Sequence, residues 1–295
     1  MIDKGVLTDF LQTTFPNEYI KYLGEGWTSI AFQVDDKIVR IPREHPGKYI
    51  KESVVCNVIR DLISFSVPCI FVNKNVEFPY AIHKKLDGRT WNMNYVRGLD
   101  EKAQMSLADD CVDFLSQIHG LDADKVNSKT KLENVDLYYE EFGPRDFTEL
   151  EYYLKAFFTA NDLMILAKKY DEALNFNVVD KVFCHGDFNG NNCVLDKNDR
   201  LAGVFDWGNC GIGERTKDFM RLFFSDSGKE FFNIVSQKYE QKTGVHIDEN
   251  RLHQLNMVET VNLVYWLNVQ ESLHAIKESD LEAWVIPAIG NFISG

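Results

Sequence analysis

The sequence predicts an α+β protein in which a small β-rich lobe precedes a larger, mainly helical one. Three observations carry this. Short apolar runs separated by turn residues fill the first 86 positions. After them, apolar residues recur mostly at helical spacing, over stretches too long for strands. The chain has 295 residues, which reaches the length, about 250–300 residues, at which a single core tends to split. Its 45% apolar or aromatic and 26% charged residues are those of a globular protein, neither disordered nor fibrous.

Taken in order, residues 6–15 have helical periodicity closed by Pro16. Strands are expected at 19–23, 30–34 and 37–41, with Gly24 and Gly26 between the first two and an Asp35-Asp36 tight turn between the second and third, the pattern of antiparallel hairpins. A helix is expected at 48–63, then strands at 69–72 and 80–84. The Asp87-Gly88 turn is the natural boundary, giving lobes 1–86 and 87–295. Beyond it, 100–119 is amphipathic and 147–174 reads as one long acidic and aromatic helical stretch. Residues 182–207 switch to brief strands around polar loops, and 214–242 and 249–276 return to helix. There is no internal repeat and no low-complexity tract.

The charge balance narrows the partners. Lys and Arg total 32 against 45 Asp and Glu, a formal net charge of −13. A phosphate lattice or anionic membrane needs a basic footprint, so neither nucleic acid nor membrane is an expected partner, whereas a cationic small molecule is. No apolar run approaches the roughly 20 residues that span a bilayer. The start, Met1-Ile2-Asp3-Lys4-Gly5, lacks the basic-then-apolar pattern of a signal peptide. The six cysteines include no Cys-x-x-Cys pair and read as small buried hydrophobes in a reducing compartment, so a cytoplasmic location is expected.

The chemistry concentrates in two places. The segment Cys184-His185-Gly186-Asp187-Phe188-Asn189-Gly190-Asn191-Asn192-Cys193 crowds a His, an Asp and several Asn into one loop between strand-like runs. Asp206-Trp207-Gly208 then follows the apolar run 201–205. Either loop alone reads equally well as an ordinary turn, since Asp, Asn and Gly build turns everywhere. Together, two carboxylates and an Asn at strand ends suit a magnesium nucleotide: Mg²⁺ takes hard oxygen ligands and borrows others from phosphate, while a separate carboxylate orients an attacking hydroxyl. No Gly-x-Ser-x-Gly elbow and no His-Glu-x-x-His pattern is present, which disfavours hydrolase and zinc-protease chemistry.

His185-x-Asp187, Asn192 five residues later, and Asp206-x-Gly208 together resemble the aminoglycoside phosphotransferase family of antibiotic kinases, and the likeness extends over nearly the whole chain. The resemblance implies a bilobal protein-kinase-like fold and transfer of the γ-phosphate of ATP or GTP to an aminoglycoside hydroxyl, conferring resistance. It implies Asp187 as catalytic base, Asn192 and Asp206 as Mg²⁺ ligands, His185 as a brace for the loop, and Asp218 as the acid that holds the region together. Thr28 and Ser29, in the Gly24–Ser29 turn, would cover the phosphates. Arg40 stands where the pattern expects Lys, with Glu52 as its partner, and the main chain of Lys84 and Leu86 would bond the base. Arg keeps the charge but not the geometry of Lys. His83 would limit the depth of the nucleotide pocket, and His119 reads as packing at a helix end. Tyr138, Tyr139, Glu140, Glu141 and Glu271 would suit a polyamine. The alternatives are a kinase of another alcohol, such as a macrolide, choline, a sugar or a homoserine-like metabolite, and a nucleotide-binding regulator without transfer activity, which the Arg40 substitution motivates.

Overall fold

A computed structural model describes residues 3–26, 28–43, 46–138, 146–178, 180–224, 228–269 and 281–294. It has a bilobal α+β architecture with a small antiparallel N-terminal sheet and a larger helical C-terminal part. Helix α1 (Lys4–Thr14) is capped by the Asp3 carboxylate and leads into β1 (Ile20–Glu25), β2 (Ser29–Val34) and β3 (Lys37–Pro42). After α2 (Gly47–Ile59) come β4 (Phe71–Asn73) and β5 (Tyr80–Lys84), giving the antiparallel order β1-β2-β3-β5-β4.

Period-two alternation divides the two faces of this sheet. Ile30, Phe32, Val34, Val39, Ile41 and Tyr80 form one core with Leu7 and Leu11 of α1. Ladder register places Ala31 beside Arg40 and Arg40 beside Ala81, and sets Ile38 against His83, so these five residues share the opposite face. Gly24 departs from expectation. It lies inside β1, not in the turn, at a bulge with φ 155°, where the register skips a residue between Tyr22 and Gly24. Helix α2 also stops at Ile59, short of 63, because the chain turns there and brings Ser66 beside Gly203.

The C-terminal part continues with α3 (Met93–Gly98), α4 (Glu101–His119), α5 (Ala123–Lys131), α6 (Phe147–Leu154) and α7 (Ala160–Leu174). Two ladders follow: β6 (Lys181–Cys184) pairs with β9 (Gly211–Glu214), and β7 (Cys193–Leu195) with β8 (Leu201–Val204). Helices α8 (Met220–Phe223), α9 (Lys229–Thr243), α10 (Glu249–Val269) and α11 (Ile286–Ser294) complete the described chain.

Two more expectations are corrected here. The stretch 147–174 is two helices, because Thr159 begins α7 with a reciprocal capping box. Its backbone N–H and hydroxyl both donate to Asp162, and the Asp162 N–H donates back to Thr159 Oγ1. The stretch 214–242 is not one helix either: Glu214 closes β9, a 3₁₀ turn (Arg215–Phe219) and α8 follow, and α9 starts only at Lys229. Helix α10 is described to Val269, and 270–276 lies outside the described residues.

The chain groups into two compact units. One, residues 2–139 and 180–247, contains the five-stranded sheet, α2, α4 and both two-stranded ladders. The other, residues 140–179 and 248–295, is helical and centres on Leu150, Leu166, Tyr170, Val261, Val264 and Ile289. All six cysteines are free thiols, five of them buried. Among the described residues, no helix is long and apolar enough to cross a membrane.

Candidate active site

The loop joining β6 to β7 is held from below by one buried acid. Asp218 accepts the backbone N–H of Gly186 on Oδ1 (2.6 Å) and that of His185 on Oδ2 (2.9 Å). Oδ2 also accepts from Nε2 of His119 (3.1 Å), whose Nδ1 meets the Tyr239 hydroxyl (2.8 Å). Burial alone would raise the Asp218 carboxyl. The His119 hydrogen bond, the charges of His119 and His185 and the Gly186 N–H outweigh it, and the carboxyl stays below its ordinary range. His119 therefore does more than pack at a helix end: it ties α4 to the loop. Cys184 lies in the same buried cluster, its sulfur within 4.8 Å of ligand atoms on His119 and Asp218, and burial keeps its thiol protonated.

Gly186 makes the loop possible. Its φ is 81°, and a Cβ there would come within 2.2 Å of the Asn209 carbonyl oxygen. His185 is fully buried; its Nε2 donates to the Phe205 carbonyl (3.1 Å), its Nδ1 accepts the Asp187 N–H (3.3 Å), and its ring lies 4.5 Å from that of Trp207. Both ring nitrogens bond the backbone, so His185 braces the loop.

Three side chains converge on the Asp187 carboxylate. Asn189 Nδ2 and Arg221 Nε both reach Oδ1 at 3.2 Å, and Asn192 Nδ2 reaches Oδ2 at 3.0 Å. Asn192 also donates to the Asp187 carbonyl (2.9 Å), so its amide nitrogen faces Asp187 and its Oδ1 remains a lone-pair donor. The β7–β8 ladder sets Asn192 and Asp206 at one end, since Phe205 N–H donates to the Asn192 carbonyl (2.9 Å). Asp206 itself sits at φ 62°, ψ 58°, a left-handed conformation uncommon for a residue with a side chain and concentrated at functional positions.

Arg40 connects this region to the sheet. Its guanidinium makes a close ion pair with Glu52 of α2, approaches Asp206 Oδ1 at 3.5 Å, and lies 4.7 Å above the Tyr49 ring. Glu52 is fully buried and also accepts the Trp207 N–H (3.1 Å). Burial would lower the Arg40 pKa, but Glu52 and Asp206 overcome it and keep the guanidinium charged. Burial pushes the Glu52 carboxyl up, an effect that Arg40 and the Trp207 N–H only partly offset. At Asp206 burial also acts upward, and the charges of Arg40 and Lys48 outweigh it, leaving a carboxylate below the ordinary range. Two hard oxygens, Asn192 Oδ1 and an ionised Asp206, thus stand at one ladder end, a donor set that could hold Mg²⁺.

The remaining sequence candidates sit on the rim of this unit. Thr28 and Ser29 occupy the β1–β2 tip, which is tied by Gly26 N–H to the Ser29 carbonyl (2.8 Å) and by Arg43, which bonds the Gly26 carbonyl (3.0 Å) and Glu25 (2.7 Å). Lys84 and Leu86 lie at the end of β5 and just past it, and the Lys84 carbonyl accepts from His83 Nδ1 (2.9 Å). Burial lowers His83 to about 4, so this ring is neutral at physiological pH. Tyr138 is exposed and donates to Asp124 (2.8 Å), while Tyr139, Glu140, Glu141 and Glu271 lie outside the described residues.

Sequence reasoning missed Lys48, Asn189 and Arg221. Lys48 was legible in principle: it precedes Glu52 by one helical turn, so it shares the Glu52 face of α2. Its stem crosses Gly208, where a Cβ would meet Lys48 Cε at 2.0 Å. Nothing in the sequence distinguishes Arg221 from any surface arginine.

The model of the phosphotransferase enzyme family matches residues 20–254. Among solved structures, the gentamicin complex of APH(2″)-IIa is similar with TM-score 0.73 at 19% identity, over 98% of this chain and 96% of that one. The GDP complex of wild-type aminoglycoside 2′-phosphotransferase-IIIa is similar with TM-score 0.73 at 16% identity, over 99% of each chain. The streptomycin–ATP–APH(2″)-IIa ternary complex is similar with TM-score 0.66 at 22% identity, over 90% of this chain and 91% of that one.

Proposed function

This chain belongs to the phosphotransferase enzyme family, and from that premise we propose that it transfers the γ-phosphate of ATP or GTP to a hydroxyl of an aminoglycoside and thereby confers resistance. The observation that carries the reading is the Asp187 carboxylate, held by Asn189, Asn192 and Arg221 beside the ladder end that bears Asp206, with Arg40 linking Asp206 to Glu52.

Asp187 accepts the hydrogen bond of the acceptor hydroxyl and fixes the direction of its oxygen. Phosphoryl transfer asks little more of the base, because the transition state is loose and catalysis rests on positioning and charge. Asn192 and Asp206 would hold Mg²⁺, which when bound would neutralise charge on the nucleotide phosphates. Arg40, kept charged and oriented by Glu52, faces the same phosphates. Thr28 and Ser29 cover them from the hairpin tip, and the main chain of Lys84 and Leu86 bonds the base. The sheet face carrying Ala31, Ile38, Ala81 and His83, which also bears Arg40, is the wall against which that base lies. In this reading residues 1–86 hold the nucleotide and 87–295 supply the catalytic loop, the metal ligands and the acceptor site, in the cytoplasm.

The chain's net charge of −13 favours a cationic acceptor. Arg221 favours a second reading, since a guanidinium 3.2 Å from Asp187 adds positive charge beside the acceptor position and suits an uncharged alcohol such as a simple sugar. Purified protein with Mg·ATP or Mg·GTP, offered gentamicin, kanamycin, streptomycin, macrolides, choline and simple sugars, separates the two by product mass. Transfer to an aminoglycoside is expected. Transfer only to a neutral alcohol selects the second reading, and nucleotide binding without transfer to any acceptor refutes both.

A further inference from the structure

We propose that Arg221 is a positioning residue for the acceptor step, holding the Asp187 carboxylate so that a single lone pair, on Oδ2, is left for the incoming hydroxyl; the inference rests on the kinase reading above. An ionised carboxylate offers about four acceptor sites. Asn189 and Arg221 both donate to Oδ1, and Asn192 takes one site on Oδ2. Among the described residues, three donors on four sites leave one direction open. In that direction the hydroxyl oxygen forms its bond to phosphorus while the bond from phosphorus to the bridging oxygen breaks. The electron pair leaves with the nucleoside diphosphate, and the hydroxyl proton passes to Oδ2.

The position of Arg221 in the chain strengthens the argument. The segment that carries Asp218, which holds the backbone of residues 185 and 186, continues directly into α8. Arg221 lies three residues after Asp218 and grips the side chain of residue 187. A single short segment thus fixes both the backbone of the loop and its reactive carboxylate. Among the three donors to Asp187, Arg221 alone is charged, so it adds an ion pair to its hydrogen bond with the carboxylate. Its side chain is 46% exposed, and an ion pair that open adds little to fold stability. A role in holding the fold and a role in aiming Asp187 therefore predict different results.

The test compares Arg221→Ala, Arg221→Gln and Arg221→Lys with wild type, using Mg·ATP and Mg·GTP with kanamycin, gentamicin, a neutral sugar and water as acceptors. Thermal melting and nucleotide Kd are measured in parallel. Arg221→Ala and Arg221→Gln should lose kcat by on the order of 10²-fold, the cost of a misaimed catalytic group, with melting temperature and nucleotide Kd unchanged. Arg221→Lys should recover part of the loss, and millimolar guanidinium should restore turnover to Arg221→Ala. In an Asp187→Asn background, Arg221→Ala should have no further effect. Wild-type kcat in Arg221→Ala, or a kcat loss matched by lower melting temperature and not rescued by guanidinium, overturns the positioning role and leaves the kinase reading standing. Wild-type protein that binds nucleotide yet transfers phosphate to no acceptor, water included, overturns the kinase reading and this role with it.

Discussion

Asp218→Asn preserves shape and volume and removes one charge from the point where α4, the β6–β7 loop and the α8 segment meet. The wild-type carboxylate accepts three hydrogen bonds, at 2.6, 2.9 and 3.1 Å, and is fully buried. An amide keeps the Oδ1 bond to Gly186 but turns an NH₂ towards His185 N–H and His119 Nε2. Hydrogen bonds to a charged group contribute about 1.5–3 kcal/mol each. His119 can recover one by presenting Nε2 as an acceptor and donating from Nδ1 to Tyr239, so the expected net loss is about 3 kcal/mol, within the range for breaking a buried charged network. The pH dependence has a definite sign. The folded Asp218 carboxyl is depressed, so its contribution is present above the unfolded value, about 3.9, and lost as pH falls through the lower folded value. The stability gap between wild type and variant should be flat from pH 8 to about 5 and narrow below about 4. Urea unfolding followed by tryptophan fluorescence, which senses Trp207 beside His185, measures the gap at each pH, and kcat at pH 7 reports the loop. A loss under about 1 kcal/mol at pH 7 together with unchanged kcat would show that Asp218 does not hold the loop.

Glu52→Gln removes the close ion-pair partner of Arg40 from a fully buried position and leaves it only the 3.5 Å approach to Asp206, so it should cost about 3 kcal/mol while weakening nucleotide binding; denaturation midpoints and nucleotide titration read both, and full stability would show that Asp206 alone satisfies Arg40. Gly186→Ala forces a side chain into a left-handed backbone against the Asn209 carbonyl, so it should destabilise by about 2 kcal/mol or more and depress kcat more than nucleotide affinity; a fully active, stable variant would contradict the loop geometry. His83 is depressed to about 4 against 6.5, so its neutral burial costs stability as pH falls from 6.5 towards 4. Wild type should lose about 3 kcal/mol relative to His83→Gln over that range, and parallel stability curves for the two proteins would exclude it.

The periodicities and turn residues of the sequence determine most of the element types. Five N-terminal strands, the helix bearing Glu52, and the polar loops that carry Asp187, Asn192 and Asp206 all follow from local pattern. The pairing of Arg40 with Glu52 comes from the family resemblance, not from local pattern, and the structure contains that ion pair. Local pattern fails where a competing local bond or a distant partner decides. The Thr159–Asp162 capping box divides a stretch whose periodicity alone reads as continuous helix. Gly24 serves a bulge where the pairing of β1 with β2 shifts register, which depends on the partner strand and not on the local turn pattern. Tertiary structure alone decides that His119 braces the β6–β7 loop through Asp218, that Lys48 crosses Gly208 beside Asp206, and that Arg221 reaches Asp187. Each of these joins residues from different elements, and the encounter depends on how helices and ladders pack. Spacing along the chain records which side an element buries, and it carries no record of which residue from another element meets it there.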